Sequence, residues 1–242
     1  MGIFFTGGNG LSIFPQTNAD LLTNLISFWE LEESSGTRVD AHGSNDLTDN
    51  NTVTSNTGKI NTAADFTSGN SEYLSIASNS ELQTGDIDFT MCLWVYLDVL
   101  GAQRPLMGKW NNASPNVEYL IFFDPSTDFA FIVRDTGDTT NTLQSATTFG
   151  TPSTATWYFI VAWHDAIANT LNIQINNGTV DSSAYSNGVK SGGQAFELGR
   201  NGSLYHDGRI DQAGLWKRVL TATERTWLYN GGNGRLYSDL GV

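Results

Sequence analysis

The sequence is poor in cysteine and in basic side chains, and it has no long apolar run. Cys92 is the only cysteine, which excludes an intrachain disulfide framework and a thiolate metal cage. It lies inside the apolar run Met91-Cys92-Leu93-Trp94-Val95, where a thiol acts as a small core hydrophobe. With 12 Lys and Arg against 25 Asp and Glu, the formal net charge is -13. Such a surface repels phosphate backbones and anionic lipid heads, so nucleic acid and membrane surfaces are excluded as preferred partners. No apolar run approaches the ~18 residues of a spanning helix. The opening Met1-Gly2-Ile3-Phe4-Phe5 has neither the cationic flank nor the cleavage site of a secretory signal.

Gly, Asn, Thr and Ser instead make up 95 of 242 residues, a mix that favours turns and strands and leaves few helix formers. The reading is one all-β domain long enough to bury its own core. Strands are expected at 25–31, 72–76, 89–97, 117–123, 129–134, 157–164 and 171–175, where aromatic and β-branched residues concentrate. The stretch Phe89–Leu97 is apolar on both alternations, as a central strand should be. Leu171–Ile175 alternates and is read as half-exposed, running into a hairpin at Asn177-Gly178. A helix should begin at the capping box Thr221-Ala222-Thr223-Glu224 and run to Tyr229.

Residues 1–24 form an apolar arm, with Ile3, Phe4, Phe5, Leu11, Ile13 and Phe14 among glycines and no charge before Asp20. An arm of this kind docks on its own or a neighbouring subunit, or adds an edge strand to its own domain. The sandwich is read as 25–237, followed by a tail at 238–242.

The order of several motifs is distinctive: Phe28-Trp-Glu-Leu-Glu-Glu-Ser-Ser-Gly36, Asp40-Ala-His-Gly43, Ala64-Asp-Phe66, Tyr73-Leu-Ser-Ile76, Phe89-Thr90 with Trp94-Val95, Trp157-Tyr158, and Asp207-Gly-Arg-Ile-Asp211 followed by Leu215 to Glu224. In this order and spacing they resemble the laminin-G-like, concanavalin A-like family. The resemblance implies a jelly-roll β-sandwich of two antiparallel sheets with one short C-terminal helix. It also implies a structural calcium at the position of Asp211. Pentraxins are similar at greater distance, but the acidic cluster of their double calcium site is replaced here by Arg200-Asn-Gly-Ser after Leu198-Gly199.

Calcium needs several hard oxygen ligands, and Asp40, Asn45 and Asp211 are the candidate metal residues. Sugar binding needs an exposed ring beside amides and carboxylates. Trp110 and Asn112, and separately Tyr205, His206 and Asp207, meet that need in predicted loops. Arg134, Arg200 and Arg209 are candidates to line a concave face, and the other tryptophans are read as packing. Retaining glycosidases need two carboxyl groups ~5 Å apart. No Glu-x-Asp-x-x-Glu run occurs, and Glu30 and Glu32 are read as a solvated strand edge.

These features combine into a non-enzymatic binding or display module. It would be a surface component of a larger assembly such as a phage virion, mounted through residues 1–24, with glycans as partners and without a signal peptide. The alternatives are a polysaccharide-active hydrolase or lyase of the same fold, or a free-standing secreted lectin.

Overall fold

Phe89–Leu97 runs through the middle of the molecule, hydrogen-bonded to Trp157–Asp165 on one side and Gly208–Trp216 on the other. The computed structural model describes residues 21–112 and 116–241. Both alternations of the central strand are buried, as its composition predicts. Met91, Leu93, Val95 and Leu97 point into the core between two sheets, whereas Cys92 and Trp94 point into a second apolar layer outside.

The first sheet runs in the order Val180–Ala184, Thr170–Ile175, Trp157–Asp165, Phe89–Leu97, Gly208–Trp216, Thr62–Phe66 and Thr54–Thr57. On one side Gly208–Trp216 changes neighbours midway: its first half pairs with Thr62–Phe66 and its second with Leu25–Trp29. A bulge between Asp211 and Gly214 marks the change. The second sheet runs Asn141–Ser145, Asp128–Arg134, Tyr119–Asp124, Arg104–Gly108, Phe196–Leu198, Tyr73–Ile76 and Thr48–Asn50. All pairings are antiparallel, and the two sheets form the expected jelly-roll sandwich. Trp29 of the first sheet stacks on Phe196 of the second, ring centres 4.9 Å apart, and joins the layers across the core.

The helix α1, Ala222–Tyr229, begins where the capping box places it. Glu224 N donates to Thr221 Oγ1 at 3.2 Å, and Thr221 N donates to Glu224 Oε2 at 2.7 Å. It ends at Asn230, whose φ of 50° is tolerated by asparagine. Its Leu228 packs with Phe28, Trp94 and Phe159 on the outer face of the first sheet. Burying a side chain of that size contributes about 2 kcal/mol.

Two boundaries and one strand's burial differ from the sequence reading. Leu21 is fully buried, and its carbonyl accepts Trp216 Nε1 at 2.7 Å, so the sandwich takes in the last residues of the arm. At the other end Leu240 is fully buried in the same outer layer. Leu171–Ile175 is buried on both faces, because Arg225 of α1 covers Gln174 and donates to its Oε1 at 2.8 Å. Residues 1–20, and with them most of the arm, lie outside the described residues. No helix among the described residues is long and apolar enough to cross a membrane.

Candidate functional site

Arg200–Asn201 and Leu204–Tyr205 pair as a two-stranded ribbon that lies against Arg104–Gly108 of the second sheet. The turn between them needs the positive φ of Gly202, 61°, and a Cβ there would stand 3.1 Å from Asn111 Oδ1. The ribbon can therefore lie close against the 110–112 loop. Asn112 N donates to Asn201 Oδ1 at 3.0 Å, and Trp110 Nε1 donates to Asn112 Oδ1 at 2.8 Å. Two loops that the sequence offers as separate sugar-binding candidates are thus joined in one place.

Arg200 folds back from the ribbon onto the outer face of the second sheet. Its Nε and Nη2 donate to Glu197 Oε2 and Oε1 at 3.0 and 2.5 Å, and its guanidinium lies 3.9 Å from the Tyr73 ring centre. Glu197 is almost fully buried, and burial pushes its carboxyl up, an effect that the Arg200 charge partly offsets. Tyr205 lies beside Tyr73, ring centres 6.3 Å apart, and both rings are half-buried. The result is an aromatic and guanidinium platform, with exposed Asn112 on the adjoining loop.

The other expected ligand residues occupy different environments. Trp110 does not stand at the surface: it is 3% exposed and packs with Val117, Leu120 and Phe122 on the outer face of the second sheet. His206 is fully buried edge-on to Phe66, ring centres 5.7 Å apart, and neither ring nitrogen has a hydrogen-bond partner. Burial and the nearby Arg104 charge push its pKa down to about 3, so the ring stays neutral and faces no ligand. Asp207 accepts the Ser68 hydroxyl at 2.5 Å and lies 4.0 Å from Arg104. Tyr73 and Glu197 escape the sequence reading, because a polar residue alternating with core residues marks only an outward-facing position.

The three expected metal residues do not form one cluster. Among the described residues, no three His, Cys, Asp or Glu side chains converge as metal ligands. Asp40 organises a turn: Oδ1 accepts Phe28 N at 3.0 Å and His42 N at 3.1 Å, and Oδ2 accepts Asn45 N at 3.0 Å. Asn45 is part of the same turn and donates to Ser27 Oγ at 2.9 Å. Both carboxylate oxygens of Asp40 are therefore committed to amides. Asp211 is different. Its Oδ2 accepts Lys59 N and Ile60 N at 2.7 and 2.9 Å, but its buried Oδ1 has no partner. Burial pushes the Asp211 carboxyl up to about 8. The adjacent Gln212, at φ 48° in the bulge, also has a buried, unpartnered side-chain oxygen.

Glu30 and Glu32, read from the sequence as a solvated strand edge, are each half-buried and held by backbone amides. Glu30 accepts Tyr237 N at 2.8 Å, and Glu32 accepts Thr62 N at 3.0 Å.

No curated protein sequence matches the chain. Solved structures share the architecture at low identity. The binding domain of Paraclostridial Mosquitocidal Protein 1 is 18% identical with a TM-score of 0.69, over 88% of this chain and 53% of that one. Domain 4 of AbnA, a GH43 extracellular arabinanase from Geobacillus stearothermophilus solved with arabinotriose, is 16% identical with a TM-score of 0.65, over 88% and 98%. The binding domain of botulinum neurotoxin DC in complex with SialylT is 11% identical with a TM-score of 0.63, over 87% and 52%. The chain thus spans about half the length of the two toxin binding domains and nearly all of the arabinanase domain. At these identities the likeness shows a shared fold. The family model Laminin_G_3 matches residues 68–224, which takes in the central strand, the Tyr73 platform and the start of α1. With the motif order, the sandwich and this match in agreement, the chain belongs to the concanavalin A-like lectin/glucanases superfamily.

Proposed function

We propose that the chain is a non-catalytic glycan-binding module whose ligand lies on the Tyr73, Arg200 and Tyr205 platform. The observation that carries this is the platform itself. Two half-exposed rings offer stacking faces, an arginine is fixed between a ring and a carboxylate, and the Asn112 loop supplies amide groups for hydroxyls. Two neighbours of the same fold were solved with ligands, arabinotriose and SialylT, which supports saccharide as the ligand class. Binding without cleavage is supported by the state of the nearby acids. Glu197 is engaged by Arg200 and Asp207 by Ser68, which leaves no carboxyl pair at the platform for retaining chemistry.

Attachment to a larger assembly such as a virion, through residues 1–24, belongs to the same proposal and is supported by the apolar character of that segment. A structural calcium at the bulge belongs to it too. Asp211 Oδ1 and Gln212 Oε1 are buried oxygens without partners on adjacent residues, and Glu32 is near enough to raise the Asp211 pKa. These two oxygens would be part of the shell of a hard divalent cation, with backbone carbonyls and water completing it, and the ion would neutralise the buried carboxylate and tie the bulge down.

The test is titration with arabino-oligosaccharides and sialylated oligosaccharides. Tyr73→Ala and Tyr205→Ala should each lose most of the affinity while the melting temperature stays within a few degrees. Sustained release of reducing ends or unsaturated products would instead establish the enzyme alternative. Sizing the chain with and without residues 1–20 tests the assembly reading, and a monomer in both cases would end it.

A further inference from the structure

A groove of about 550 Å³ lies beside α1, lined by Ala222, Thr223, Thr226, Trp227, Asn230 and Arg235. It shares no residue with the platform: α1 packs on the first sheet, whereas Tyr73 and Glu197 belong to the second. Arg235 lies with its guanidinium 4.4 Å from the Trp227 ring centre, and its Nε donates to Trp227 O at 3.4 Å. Among the described residues Arg235 enters no ion pair, and neither do Arg38 and Arg225, whose guanidinium groups are tied to neutral oxygens of the fold; the other five arginines each have an acidic partner. The acid of α1, Glu224, is turned away to Arg218 at 2.6 Å and to Thr221 N. Arg225 lies likewise over Trp163, at 4.3 Å, but its Nε and Nη1 donate to Gln174 Oε1 and Leu220 O inside the fold, whereas Arg235 lies at the groove.

We propose that this groove is a second binding site, specific for a carboxylate-bearing saccharide. The terminal nitrogens of Arg235 match a carboxylate in a two-point contact, and the Trp227 stack fixes the fork before the ligand arrives. The remaining groups suit sugar hydroxyls. Asn230 Nδ2 is committed to Gly234 O at 2.9 Å, which leaves its carbonyl oxygen as an acceptor. The Thr223 hydroxyl lines the groove beside it, and the Thr226 hydroxyl, donating to the helix or to Asn177, can still accept. The backbone wall is fixed by three successive left-handed residues, Asn230, Gly231 and Gly232, at φ 50°, 61° and 90°.

The experiment uses the full ¹⁵N-labelled chain with trigalacturonate and its neutral methyl ester as probes. Trigalacturonate should shift the amide resonances of Thr223, Trp227, Asn230 and Arg235 and leave those of Tyr73 and Arg200 in place. The ester should bind at least about tenfold more weakly, since a charge-assisted two-point contact is lost. Arg235→Gln should weaken trigalacturonate by a similar factor. Gly231→Asn is the second variant, because a Cβ at 231 meets nothing within 4 Å and asparagine accepts its φ of 61°, so the added side chain occupies the groove mouth. Equal affinity for acid and ester, no binding of trigalacturonate, shifts at Tyr73 and Arg200 instead, or unchanged affinity in both variants would each overturn the proposal. The fate of the platform reading is decided separately by the tyrosine variants.

Discussion

The backbone amide of Asn112 donates to the side-chain oxygen of Asn201 at 3.0 Å, across a sequence separation of 89 residues. Asn201 is 2% exposed, so its end of the bond is held by the fold and fixes the distance between the 110–112 loop and the Arg200–Tyr205 ribbon. Asn201→Ala should cost about 1 kcal/mol by removing this bond. It should also weaken saccharide binding although position 201 touches no ligand. Calorimetry of both unfolding and binding reads the two effects, and binding unchanged at a lowered melting temperature would show that the ribbon places nothing.

Trp110 is a packing residue in this structure. Trp110→Ala should therefore destabilise the fold by about 3 kcal/mol, as large-to-small changes in an apolar cluster do. A denaturant titration measures it. A stability loss under 1 kcal/mol with loss of saccharide affinity would return the ring to the role that the sequence assigns it.

His206 predicts the acid limb of stability. Its pKa falls from an ordinary 6.5 to about 3 on folding, so the folded state resists protonation. Stability is fully present above pH 6.5 and is lost as the pH falls from there toward 3, because the unfolded chain takes up the proton first. His206→Leu, which keeps the contact with Phe66 and removes the titration, should flatten that limb. Melting temperatures at pH 4 and pH 7 test it, and an equal drop in wild type and variant would assign the limb elsewhere.

Calcium should raise the melting temperature, since a ligand bound only by the folded state stabilises it by mass action. Asp211→Ala should abolish the increment, and Asp40→Ala should lower stability without affecting the increment. A wild-type melting curve indifferent to both chelator and added calcium would remove the ion from the bulge.

Truncation separates the arm from the sandwich. Removing residues 1–20 should leave melting close to that of the full chain, whereas removing 1–24 also deletes fully buried Leu21 and its carbonyl, the acceptor of Trp216 Nε1. The longer cut should cost several kcal/mol more. Equal melting of the two truncated chains would place the boundary at 25, as the sequence alone does.

The parts of the fold visible in the sequence are those written in local chemistry. The double-sided apolar run Phe89–Leu97 marks the central strand, and Asn176 and Asn177, both at positive φ, make the turn expected at Asn177-Gly178. The capping box at Thr221 sets the first turn of α1. Thr54–Thr57 and Asn141–Ser145 pass unnoticed because an exposed edge strand of Thr, Ser and Asn carries no apolar period. The site is less legible for another reason. Whether a tryptophan or histidine in a loop faces water depends on what folds over it, and nothing near Trp110 or His206 in sequence announces Phe122 or Phe66 as neighbours. Tyr73 and Trp227 show the converse. Each is flanked by a buried leucine, Leu74 or Leu228, yet one forms a platform and the other a groove wall.

The Trp29–Phe196 stack bears on how the module would carry load. Trp29 ends the strand that follows buried Leu21, and Phe196 directly precedes Glu197, which holds Arg200 at the platform. Tension between residue 21 and a saccharide on Arg200 and Tyr73 would cross the sandwich through the shared core, where this stack is the contact adjoining both ends.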